Sequence, residues 1–118
     1  MRARTLIRML LVIVALAIAV LSLVPRPPAV LSSVSDKAKH VFAYWVLSLL
    51  IAGSIGIESS PGVFLSSFCA GALYGGMLEL LQHLVGRDPQ WLDLAADAAG
   101  SLGGAAVAVA VLSFVRLP

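Results

Sequence analysis

Charge is what this sequence has least of. Eight basic and six acidic side chains make up only 12% of the chain, about half the share usual in soluble domains. They nearly balance at a net charge of +2, and the excess comes mainly from Arg2, Arg4 and Arg8. No basic patch remains for nucleic acid, so that class of partner is excluded. Cysteine is almost absent. Cys69 stands alone inside an apolar run, which rules out an intramolecular disulfide and a Cys-based zinc site and leaves packing as its expected role. No internal repeat or low-complexity segment stands out.

What fills the sequence instead is apolar. Hydrophobic residues make up 60% of the 118 positions, and mean hydropathy is +1.02. The few charges divide the chain into long uncharged runs, from Arg8 to Arg26, Lys39 to Glu58, Glu58 to Glu79, and Asp97 to Arg116. Each run approaches the roughly 20 residues that a helix needs to cross a bilayer core of about 30 Å. The pattern predicts an all-α polytopic membrane protein, a bundle of four transmembrane helices near residues 6–24, 36–57, 61–85 and 89–115. One domain spans 1–118. The first run also fits the basic start, apolar middle and small residues of a signal peptide, in which case three spans remain.

Local signals set the helix ends. Pro25, Pro27 and Pro28 stop the first helix, because proline lacks the N–H donor and clashes with the preceding turn. Ser35 is a good N-cap for the second, with Asp36 placed where the helix dipole favours a carboxylate. Glu58 to Gly62 makes the next turn. Gly86 supplies a helix C-cap and Pro89 a first helical position, so the last two helices form a tight hairpin. Gly71 and Gly75, then Gly100 and Gly104, carry the four-residue spacing that lets membrane helices approach closely.

In a protein of four spans, the loop joining helices one and two shares a membrane face with the loop joining three and four. Asp36, Lys37 and His40 flank the first loop. Glu79, Gln82, His83, Arg87, Asp88, Asp93 and Asp97 flank the second. Positive residues tie at four on each side, and the three arginines before the first helix break the tie toward a cytoplasmic N-terminus. The polar cluster then faces outward from a cell inner membrane.

Helix rise of about 1.5 Å per residue sinks His40 roughly one turn into its helix and Glu79 roughly two turns. Ionisable groups at that depth face the bundle interior or a wet cavity and pair with each other. Residues three, four or seven apart share a face, giving three stripes: Asp36, His40 and Tyr44; Glu79 and Gln82; Asp93, Asp97, Gly100 and Gly104. These stripes are expected to converge on one pocket. Each residue also has a simpler role: first-turn carboxylates for Asp36 and Asp93, snorkelling cations for Lys37 and Arg87, belt or packing aromatics for Tyr44, Trp45 and Trp91. Lys39, His83 and Asp88 read as surface groups. Glu79 and Asp97 are the least easily explained this way, being far from a helix tip.

Asp36-Lys37-x-x-His40-x-x-x-Tyr44, then Glu79-x-x-Gln82, then Arg87 and Asp93-x-x-x-Asp97-x-x-Gly100-x-x-x-Gly104 together resemble the VanZ-like family of membrane proteins. The resemblance covers about residues 30 to 105, with the blocks in family order. Many members carry Asn where Asp97 stands, which puts in doubt whether that charge is needed. The resemblance implies a bacterial envelope protein and a link to resistance to teicoplanin, a glycopeptide antibiotic, but no agreed biochemical activity.

Two functional readings follow. In the first, the polar face binds or modifies a lipid headgroup or envelope precursor: Lys37, Arg87 and the helix starts meet a phosphate. His40 or Glu79 then acts as general base or acid, and Asp36, Tyr44, Gln82, Asp93 and Asp97 line the pocket. The carboxylates suit Mg²⁺ as hard oxygen ligands. In the second, the same groups form a hydrogen-bond network that locks a non-enzymatic membrane module beneath a partner protein. On either reading, membrane lipid and a second copy of the chain are the expected partners. Transport ranks third, since four short helices enclose little space and none is visibly broken.

Overall fold

A computed structural model of the chain describes residues 2–23, 36–55, 61–86 and 91–114, except for the side chains of Asp36, Lys37 and Trp91. Four α-helices account for nearly all of it: α1 (Ala3–Leu23), α2 (Asp36–Ile55), α3 (Pro61–Leu84) and α4 (Trp91–Leu112), with no strand among the described residues. All four are long and apolar enough to cross a membrane. The protein is a multi-pass, all-α membrane bundle.

Helix α1 starts earlier than the charge pattern suggests, at Ala3 instead of Leu6, so Arg4 joins Arg8 on it. Long aliphatic stems let such side chains ride a membrane helix while their charges reach the interface. Helices α3 and α4 end at Leu84 and Leu112, slightly before the expected limits, and α2 ends at Ile55. Gly86 takes φ +84, which supports its expected role in ending α3. The expected Ser35 cap, the proline stop after α1, the turn residues Glu58 to Ser60, and Pro89 lie outside the described residues.

The bundle is inverted relative to a soluble one. Large apolar side chains such as Val12, Leu16, Leu65, Leu73 and Leu80 point outward, while Ser48, Ser67 and Ser101 are completely buried. Hydrocarbon solvates leucine as well as the interior does, so small and polar residues take the interfaces. Helix α2 touches all three others and packs most extensively on α4, whereas α1 rests on α2 and, more lightly, on α3.

Glycine makes the α2–α4 contact possible. A Cβ on Gly100 would overlap the backbone carbonyl of Val41, and one on Gly104 that of Trp45. Both expected glycine pairs therefore sit at helix crossings, Gly71 and Gly75 facing Ser101 and Asp97 on α4. Cys69 corrects the sequence reading. It is exposed on the outer face of α3 and does not pack in the core, because the interior of that helix is set by the Ser67, Gly71, Gly75, Leu78 and Gln82 stripe.

Candidate functional site

The α2–α4 crossing places His40 over the start of α4. His40 Nδ1 meets Asp97 Oδ1 at 2.5 Å, and His40 Nε2 lies 3.8 Å from Asp93 Oδ2. Four residues separate the two carboxylates, so they share a face of α4 and bracket one imidazole. The three groups differ in depth: the side chain of Asp97 is 2% exposed, that of Asp93 13% and that of His40 21%. Asp97 thus anchors the ring from inside, and the Nε2 edge faces the shallower Asp93.

Asp97 reaches this position because α3 has no side chain in its way. A Cβ at Gly75 would collide with the Asp97 carboxylate. Beneath the imidazole, buried Tyr44 stacks nearly parallel to it at 6.4 Å between ring centroids, and Tyr74 of α3 leans against Tyr44. Tyr44 therefore floors the cluster. Glu79 on α3 is half-buried and close enough to act electrostatically on both His40 and Tyr44.

The expected convergence thus brings together His40, Tyr44, Asp93 and Asp97, with Glu79 at its edge. Gln82 belongs elsewhere. Its amide Nε2 donates to the Ser22 carbonyl at 3.0 Å, so it ties α3 to the end of α1 and does not line the cluster. The side chains of Asp36 and Lys37, and all of Arg87 and Asp88, lie outside the described residues. His83 is exposed, as expected of a surface group.

Serine contributes a further set of polar contacts that the charged stripes do not include. Ser48 on α2 donates to the Ser101 carbonyl of α4 at 2.8 Å and approaches the Ser67 carbonyl of α3 at 3.3 Å, bridging three helices. Ser48 stands four residues after Tyr44 and Ser101 four after Asp97. Extending the polar stripes by one turn would have found both. Tyr74 donates to the Ala15 carbonyl at 2.5 Å and holds α1 in the same manner as Gln82.

Chemically, the arrangement is an imidazole oriented by a buried carboxylate, the relation that fixes a general base in its productive tautomer. Its surroundings are acidic, so the described part suits a hydroxyl, water or ammonium donor better than a bare anion. No group of three or more His, Cys, Asp or Glu is disposed to hold a metal ion among the described residues. The chain matches no family model, no curated protein and no solved structure.

Proposed function

We propose that this chain is a VanZ-like protein of the bacterial inner membrane, with its N-terminus in the cytoplasm, that engages a lipid headgroup or envelope precursor at the outer interface through His40. The observation that carries this reading is the asymmetry of the imidazole. A purely structural histidine would satisfy both nitrogens inside the bundle. Here Nδ1 is held by Asp97, the most deeply buried of the three, while Nε2 lies beside the shallower Asp93. In this reading Nε2 takes the proton of a headgroup hydroxyl, ammonium or bound water, and Asp97 stabilises the imidazolium that forms. Asp93 steadies the same donor, and Glu79 adds negative charge at the rim. Lys37 and Arg87, placed by sequence at the same face, supply cations for a phosphate. A link to teicoplanin resistance follows from the family resemblance.

Native mass spectrometry of the protein, gently extracted from its own membrane, tests the proposal. The wild type should carry a lipid that His40→Gln loses while remaining a folded bundle. Equal lipid content in both would refute it.

The alternative is a locked, non-enzymatic module. It is favoured by the number of interhelical bonds that involve no exposed group, notably those of Ser48, Tyr74 and Gln82. On that reading His40→Gln lowers thermal stability in detergent and changes nothing else.

A further inference from the structure

The end of the bundle opposite His40 has its own chemistry. Along α1, Thr5, Arg8, Met9, Val12 and Ile13 line an open concavity of about 500 Å³. Their spacing of three or four places them on one face of the helix. At about 1.5 Å per residue the strip descends roughly 12 Å, from the interface into the hydrocarbon. Thr5 and Arg8 mark its upper end, and the surface that lines it is almost wholly apolar.

Arg8 is held in place there. Its Nε and Nη2 donate to the Ser54 carbonyl at 3.3 and 3.1 Å, closing the last turn of α2, whose carbonyls lack helical partners. A guanidinium has five N–H donors, so this anchorage leaves others directed elsewhere. Arg2 and Arg4 stand on the same end, and no Asp or Glu occurs among the described residues there. The described surface at this end therefore carries a net positive charge.

We infer that this strip is a docking site for an anionic phospholipid, its phosphate meeting Arg8 and Thr5 and one acyl chain lying along Met9, Val12 and Ile13. Charge complementarity decides the occupant. A second copy of the chain would bring its own arginines to the same level, and free phosphate would leave the apolar strip unused. Basic residues at the edge of a membrane span attract anionic headgroups in this way. The site is independent of the His40 cluster and lies at the other membrane face.

The test uses the full chain equilibrated with phosphatidylglycerol or phosphatidylcholine and examined by native mass spectrometry. Wild type should retain one phosphatidylglycerol in preference to phosphatidylcholine. Arg8→Gln should reduce retention about fivefold, the effect expected of one basic residue at an anionic surface. Because Arg8 also closes α2, a second variant guards against misfolding: Val12→Trp fills the strip and leaves the Arg8–Ser54 bonds intact, and it should lose the lipid as well. His40→Gln should keep this lipid and lose only the one proposed for the opposite face. Equal retention of the two lipids, undiminished retention in Val12→Trp, or a protein dimer in place of the lipid adduct would overturn the inference.

Discussion

His40 of α2 and Asp97 of α4, 57 residues apart in sequence, meet through Nδ1 and Oδ1 at 2.5 Å under the membrane face. Asn at position 97 keeps an oxygen acceptor for the imidazole, whereas Leu removes it. Asp97→Asn should therefore cost no more than an interhelical bond in a membrane, about 0.6 to 1.7 kcal/mol. Asp97→Leu should cost more and should also release the ring. Thermal unfolding in detergent gives the order, and a Leu variant as stable as Asn would contradict it.

Backbone contacts cannot yield as side chains can. Gly100→Ala and Gly104→Ala drive a methyl group into the carbonyls of Val41 and Trp45, and overpacking of this kind costs about 1 to 3 kcal/mol. A methyl group on Gly76 would meet only the tip of Leu94, at 4.0 Å. Gly76→Ala should be neutral or stabilising, by up to about 1 kcal/mol. Melting temperatures of the three variants compare the cases directly.

At the α3–α4 crossing the obstacle is a side chain, so it can be removed. A methyl group on Gly71 overlaps the Ser101 hydroxyl, which has no hydrogen-bond partner among the described residues. Gly71→Ala should destabilise, and Ser101→Gly in the same chain should recover most of the loss. Ser101→Ala alone should leave stability unchanged or raise it, because it removes a buried unsatisfied group. A double variant no better than Gly71→Ala would disprove the contact.

Helix α1 is tied to α3 by two polar bonds, from Tyr74 to Ala15 and from Gln82 to Ser22. Gln82→Leu with Tyr74→Phe should loosen α1 at a cost of about 1 to 3 kcal/mol, taking the two bonds as roughly additive. Hydrogen exchange should rise selectively in α1. On the proposed headgroup reading, lipid retention at the His40 face should not change, since neither bond involves His40, Asp93 or Asp97.

The spans were legible because a bilayer imposes a length, and the scarcity of charge marks it out: four uncharged runs correspond to four helices. The meeting of His40 with Asp93 and Asp97 was legible for a related reason, since topology fixes which loops share a face and burial cost drives ionisable groups together. Gln82 shows where this reasoning stops. Its spacing from Glu79 puts both on one side of α3, but a helix touching two neighbours divides that side between them, and the carbonyl of Ser22 captured the amide. Cys69 was misjudged because an apolar sequence environment in a membrane helix describes lipid as well as core. The serines escaped notice because hydroxyls cost little to bury when a helix carbonyl is at hand.

The imidazole of His40 commits Nδ1 to Asp97 and leaves Nε2 beside the shallower Asp93, and the headgroup reading requires Nε2 to meet lipid. Nitrogen-15 spectra of histidine-labelled protein in bilayers separate the two nitrogens, with His83→Gln used to assign the signals. Replacing phosphatidylcholine with the native lipid extract should move the Nε2 resonance of His40 and leave Nδ1 unchanged. If neither nitrogen responds, His40 is a lock within the bundle and engages no headgroup.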